Sequence, residues 1–150
     1  MNIEIRAARR TDLSKVIELV RELAVYEKAE HEMWSTLDQY ESAFDEKRIS
    51  SDLALINGKV VGCTVYYDTF STWKGNMLYL EDFIVSKEFR RFGIGQLLYD
   101  AFIEEAKKRK CNLVRWEVLD WNEPALNFYK KQGAIIEKNW WKAKVVFDNT

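Results

Sequence analysis

The sequence predicts one α/β (α+β) domain over residues 1–150, a mixed and mostly antiparallel sheet with helices on both faces. Three observations predict it. Two β-type apolar runs flank Asn57-Gly58, a dipeptide suited to the positive φ values of a tight hairpin turn. Residues 77–85 are almost unbroken in apolar character, interrupted by Glu81 and Asp82, as in a strand covered on both faces. After Phe89 come Arg90-Arg91-Phe92-Gly93-Ile94-Gly95, and from Ile94 the apolar period becomes helical. Strand, basic glycine turn and helix therefore follow one another.

The remaining elements read as follows. Residues 3–8 alternate as a first strand. Thr11 and Asp12 are candidate caps for a long helix carrying Leu13, Val16, Ile17, Leu19, Val20, Leu23 and Ala24 on one stripe. That helix fades in the charged stretch 26–32, and a shorter helix fits 36–44. Strands at 52–56 and 60–67 form the hairpin, and 70–76 turns into the 77–85 strand. The helix from Ile94 runs to about Lys110 and is followed by a strand at 113–119. Asn122-Glu123-Pro124 starts another helix, with Asn as cap and Pro in the first turn, and Gly133 ends it. Residues 135–136 and 145–147 are expected as closing strands around Asn139-Trp140-Trp141. The order is β, α, α, β, β, β, α, β, α, β, β, hairpins followed by a βαβ unit.

Composition narrows the function classes. The net charge of -1 and pI near 6.0 give no electrostatic footprint for nucleic acid. Apolar residues make up 47%, which excludes a disordered chain. Six Trp, seven Tyr and eight Phe are many for this length, so some are expected at a site or an interface. Cys63 and Cys111 form no CxxC and read as reduced thiols of a cytoplasmic protein. The N-terminus has no signal-peptide pattern and no apolar run reaches membrane-spanning length, so no membrane partner is expected. One His, two distant Cys and scattered acids match no metal-ligand spacing. His31 lies in a charged stretch, and Cys63 reads as a buried thiol rather than a nucleophile.

The turn at 90–95 is the chemical signal. A glycine turn between a strand and a helix aims backbone N–H groups and the positive helix end at one point, a ready anion site. A dinucleotide fingerprint would need a small residue where Leu98 stands, and a P-loop would need Gly-Lys-Ser/Thr, which is absent. Arg90-x-x-Gly93-x-Gly95 after a hydrophobic strand instead resembles the pyrophosphate loop of the GCN5-related N-acetyltransferase (GNAT) superfamily. A second segment, Asn122-x-x-Ala125-x-x-x-Tyr129-x-x-x-Gly133, resembles the same superfamily. With Tyr-Leu-Glu-Asp-Phe at 79–83, Glu-Leu-Ala-Val-Tyr-Glu at 22–27 and Trp73, the chain is similar to the diamine branch. That branch holds the spermidine/spermine N1-acetyltransferases and the thialysine acetyltransferases. Where this chain has Asn139-Trp140-Trp141-Lys142, the branch tends to have an acidic residue followed by Gly-Trp.

The resemblance implies an acetyl-coenzyme A-dependent N-acetyltransferase, without a metal, acting on a small-molecule amine, in a homodimer. Phe83, Ile84 and Val85 would offer main-chain groups to the pantetheine arm. Arg90, Arg91, Phe92, Gly93, Ile94, Gly95 and Gln96 would hold the pyrophosphate. Asn122, Ala125, Tyr129 and Lys131 would complete the cofactor contacts. Tyr26, Glu27, Trp73, Glu81, Asp82 and Trp141 would shape the amine pocket. Tyr129 would protonate the leaving thiolate, since a phenol carries the required O–H. Glu81 would accept the ammonium and act as base, directly or through water. By strict alternation Glu81 faces Tyr79 and Phe83, while Asp82 faces Leu80 and Ile84. An internal ion pair of Glu81 with Arg115 or Lys144 stays open as the alternative. Two rival functions also stay open: transfer to a protein amine, and coenzyme A sensing without turnover.

Overall fold

Asn57 and Gly58 take φ values of +49° and +83°, and close the tight turn between β2 (Ser50–Ile56) and β3 (Lys59–Ser71). Around this hairpin the sheet is laid down in chain order: β1 (Ile3–Ala7), β2, β3, β4 (Gly75–Val85) and β5 (Leu113–Arg115). The first three junctions are antiparallel and β4–β5 is parallel. The computed structural model describes residues 1–147. They fall into two compact units, Met1–Trp116 and Glu117–Thr150, the second described as far as residue 147.

Both faces of the sheet are covered in the first unit. On one lies α1 (Leu13–Tyr26), whose buried Val16 and Leu19 pack with Leu53, Leu55, Cys63, Val65 and Ile84. On the other lies α3 (Ile94–Lys108). Its Ile94 and Leu98 meet Ala54, Ile56 and Val61, while Phe102 and Ala106 meet Tyr66, Leu78 and Leu80. Successive residues of β2 thus go to opposite faces, as the pleat requires. Helix α2 (Leu37–Asp45) is opened by a capping box, Thr36 Oγ1 accepting from Gln39 N and Gln39 Oε1 from Thr36 N. Its Tyr40 packs on the α1-side cluster.

Several expectations change in detail. Asp12 precedes α1, but its side chain does not cap that helix. Its carboxylate accepts from Arg9 N at 2.7 Å and pairs with Arg6 at 2.8 Å, because a 3₁₀ turn at Arg10–Asp12 presents those donors first. The β3–β4 turn is shorter than 70–76, since Phe70 and Ser71 still pair with Asn76 and Gly75. Strand β5 stops at Arg115 rather than residue 119, because only Met77, Leu78 and Tyr79 give it a ladder. A register shift falls between Val65 and Tyr66. Val65 stands opposite Asp82 and Tyr66 opposite Leu80, leaving Glu81 as the extra residue of a β-bulge.

In the second unit Asn122 Oδ1 accepts from Ala125 N at 3.4 Å and caps α4 (Glu123–Lys131), with Pro124 in the first turn. Ala134 N closes the helix end on Tyr129 O at 3.1 Å. The strands expected at 135–136 and 145–147 are not formed in the described residues. Val145 and Phe147 are each 84% exposed, and an apolar run without a ladder partner is not a strand. Among the described residues no helix is long and apolar enough to cross a membrane.

One buried group sets a stability expectation. Asp52 is buried on β2, where Tyr66 Oη donates to its Oδ2 at 3.4 Å. Burial, reinforced by Glu105, pushes its pKa from 3.8 up to about 6. The folded state therefore holds this proton more tightly than the unfolded chain. The resulting stability is present below about pH 4 and is lost as pH rises through about 6. The difference is worth about 3 kcal/mol. Asp52→Asn keeps an acceptor for Tyr66 and removes the ionisation. It is expected to flatten urea stability between these pH values and to raise the midpoint above wild type at pH 7.5. An unchanged slope would contradict this.

Candidate active site

At the carboxyl end of β4 the chain passes through a 3₁₀ turn, Lys87–Phe89, to Gly93. Gly93 is the N-cap of α3 with φ +73°, a left-handed conformation that glycine takes without strain. No atom lies within 4 Å of where a Cβ would stand on it. On Gly95 a Cβ would meet Phe83 Cζ at 3.7 Å and Val85 Cγ2 at 4.0 Å. Ile94 is fully buried and anchors the helix start, while Arg91, Phe92 and Gly93 are exposed. The first N–H groups of a helix lack intrahelical acceptors and sit at its positive end. An exposed glycine cap on an anchored helix is thus shaped to receive an anion by its backbone.

Arg90, expected in the anion-binding turn, also braces it. Its Nε donates to Val85 O at 2.8 Å, and its guanidinium lies 5.2 Å from the centroid of the Tyr26 ring. It ties the turn to the end of α1. Ser86 Oγ makes a second tie, donating to Glu22 Oε1 at 3.3 Å. Glu22 and Ser86 carry no sequence signal of their own, because one helical Glu and one Ser after a strand fit any surface.

Strand β4 pairs with β3 as far as Val85 opposite Gly62, but with β5 only over Met77, Leu78 and Tyr79. Among the described residues no strand continues along that second edge, so residues 80–85 have no ladder partner there. An extended polar chain could hydrogen-bond to such an edge as an added strand does.

The bulge decides where the carboxylates go. Leu78, Leu80 and Phe83 belong to the α3 side, whereas Ile84 belongs to the α1 side. Tyr67 Oη donates to Glu81 Oε2 at 3.2 Å, and the Tyr67 ring stacks on Tyr79 with centroids 5.4 Å apart. Glu81 and Asp82 both act electrostatically on Tyr40 of α2, and Glu81 and Glu27 both act on Asp82. The two carboxylates therefore share the α1 face. The alternation expected from sequence fails at Glu81, because the extra residue of a bulge reverses the pleat. Among the described residues of the first unit Glu81 makes no ion pair with Arg115.

Burial, and next Asp82, push the Tyr40 phenol up to about 12, so it stays protonated. Burial, then Glu81, then Glu27, push Asp82 up to about 7. The fold thus joins Glu27, Glu81 and Asp82, with Tyr26 on the same helix end. It adds Tyr40, Tyr67 and Tyr79, which the sequence presents as ordinary helix and strand aromatics. Trp73 stands at the β3–β4 turn, 83% exposed. In the second unit Tyr129 is buried on α4, edge-on to Phe128 at 5.7 Å, whereas Lys131 and Trp141 are exposed. Among the described residues no His, Cys, Asp and Glu are grouped to hold a metal ion.

Comparison with known proteins identifies the chain. The profile of the acetyltransferase (GNAT) family matches residues 13–134, which includes parts of both units. The thialysine N-epsilon-acetyltransferase of Bos taurus is 34% identical over 151 residues, 93% of this chain and 89% of that protein. The spermidine/spermine N(1)-acetyltransferase-like protein 1 of Homo sapiens is 30% identical over 91% of this chain and 21% of its own length. An aminoglycoside acetyltransferase from an uncultured soil metagenomic sample, solved with trehalose, shares the fold at TM-score 0.81. It covers 97% of both chains at 19% identity. The relatives are similar over most of this chain, and the chain belongs to the acetyltransferase (GNAT) family and is an N-acetyltransferase.

Proposed function

We propose that the protein transfers the acetyl group of acetyl-coenzyme A to a primary amine of a small cationic substrate, such as a polyamine or thialysine. The carrying observation is the bulge of β4, which gathers Glu81 and Asp82 with Glu27 on one face. The glycine cap of α3 follows on the same strand's carboxyl end. Three carboxylates beside Tyr40, Tyr67 and Tyr79 suit an alkylammonium, which carboxylates attract and aromatic faces tolerate. The names of the thialysine relatives support the same acceptor class.

The residues take these roles. Backbone groups from Arg91 to Gln96 receive the pyrophosphate, and Arg90 braces that turn. Phe83, Ile84 and Val85 offer main-chain groups to the pantetheine arm along the edge of β4 beyond its ladder with β5. Asn122, Ala125 and Lys131 add contacts from α4 and its start. Tyr26, Glu27, Trp73 and Trp141 contribute to the amine pocket. An alkylammonium of pKa near 10.4 is almost wholly protonated at pH 7 and cannot attack. A carboxylate at the bulge takes its proton, the free amine attacks the thioester, and the Tyr129 phenol protonates the departing thiolate. Cys63 is fully buried and burial pushes its thiol up, so it is a poor acyl carrier. This supports direct transfer in a ternary complex.

We also propose that residues 1–150 act as one cytoplasmic catalytic domain, supported by the family profile running across both units. Homodimerisation is supported by the exposed Trp140, Trp141, Val145 and Phe147. A sedimenting monomer at micromolar concentration would reject it. The function itself is tested by incubating the protein with isotope-labelled acetyl-coenzyme A and a mixture of spermidine, putrescine, thialysine, lysine and a peptide amine. Mass spectrometry is expected to find the label on one of the small diamines. Label on the peptide alone, or on no amine, would refute the assignment.

A further inference from the structure

The carboxylates of the bulge differ in their surroundings, and the difference assigns their roles within the function proposed above. Glu81 is exposed and accepts a hydrogen bond from Tyr67. Asp82 is half-buried, opposite Val65 of the α1-side core, and among the described residues its carboxylate makes no hydrogen bond or ion pair. A sheltered carboxylate without a partner is costly, and a fold that keeps one has a use for it. Glu81 of β4 and Glu27 at the end of α1 act on it, and it acts in turn on Tyr40 of α2 and Cys63 of β3. None of them is a cation.

We propose that Asp82 is the proton acceptor of the transfer and that Glu81 is the carboxylate that holds the ammonium. The geometry follows from the bulge, which sets one carboxylate at the surface and the next half-buried on the α1 side, on the same face. Carboxylates in unequal environments divide acid–base work in this way. With its pKa pushed up to about 7, Asp82 is roughly half anionic at neutral pH and matched to that task. The step balances. The ammonium gives one proton to Asp82, and its nitrogen forms the C–N bond as the C–S bond breaks. The nitrogen then loses a second proton, one proton goes to the thiolate, and one is released to water per turnover.

The test is the pH dependence of kcat/KM with whichever amine is turned over. Wild type is expected to lose activity as pH falls through about 7, because protonated Asp82 accepts nothing. Asp82→Asn is expected to lower kcat/KM by about 10²-fold or more and to abolish that limb, with acetyl-coenzyme A binding retained. Glu81→Gln is expected to raise KM for a diamine and to keep the limb, moved to lower pH by the loss of its charge. Glu27→Gln removes one neighbouring negative charge and is expected to move the limb to lower pH. This variant decides the matter if Asp82→Asn does not fold. A limb that survives in Asp82→Asn, vanishes in Glu81→Gln or stays fixed in Glu27→Gln overturns the assignment while leaving the acetyltransferase reading intact. A wild type that binds acetyl-coenzyme A but acetylates no amine overturns both.

Discussion

Tyr129→Phe is expected to reduce turnover of the amine by about 10²- to 10⁴-fold, the usual worth of a positioned proton donor. The ring is kept, so its packing edge-on to Phe128 should persist and the fold should survive. Only the O–H is lost, and with it the proton for the thiolate. Binding of acetyl-coenzyme A, followed by calorimetry, is expected to change little, because backbone groups receive the pyrophosphate and the substitution alters no backbone group. A loss in kcat and kcat/KM together, without a rise in KM, is the signature of an interaction made only in the transition state. Undiminished turnover with an unaltered pH profile would remove Tyr129 from the mechanism.

Phe102→Ala is expected to cost about 3–5 kcal/mol of stability. Phe102 is fully buried on α3, edge-on to Tyr66 at 5.3 Å, in the cluster with Leu78, Leu80 and Ala106. Truncation forfeits the transfer energy of the ring and leaves a cavity that the surrounding strands can only partly close. Typical domains are stable by about 5–15 kcal/mol, so the variant should sit near its folding threshold. The urea midpoint should fall with the slope unchanged. Acetyl-coenzyme A that binds the folded state alone should stabilise this variant by as much as wild type if the Gly93 cap of α3 keeps its shape. A loss below about 1 kcal/mol would mean that Phe102 does not hold α3 on the sheet.

The sequence was most legible where local chemistry and tertiary need agree. Asn57-Gly58 announced a turn whose φ values only such residues take readily. Asn122 and Pro124 announced the start of α4, and the change of period at Ile94 announced α3. The bulge was illegible, because Glu81 and Asp82 are polar in either register and nothing local says which residue is the extra one. Its consequence, a shared face for both carboxylates, came with it. Asp52, the first residue of the expected 52–56 strand, carries no signal that it is a buried acid hydrogen-bonded by Tyr66. Tyr67 and Tyr79 read as strand aromatics until their stacking beside Glu81 was seen. Residues 145–147 misled in the other direction. Their apolar, β-branched character suits a strand, but a strand also needs a neighbour's hydrogen bonds, which composition does not supply.

Acetyl-coenzyme A and a small cationic amine are expected to react on this chain. The most direct measurement is the rate of free coenzyme A release at fixed acetyl-coenzyme A, with and without saturating thialysine or spermidine. One of these amines is expected to accelerate release well above the rate in its absence, with a rate that saturates with amine. Release that no small amine accelerates, in a protein shown to bind acetyl-coenzyme A, would contradict this.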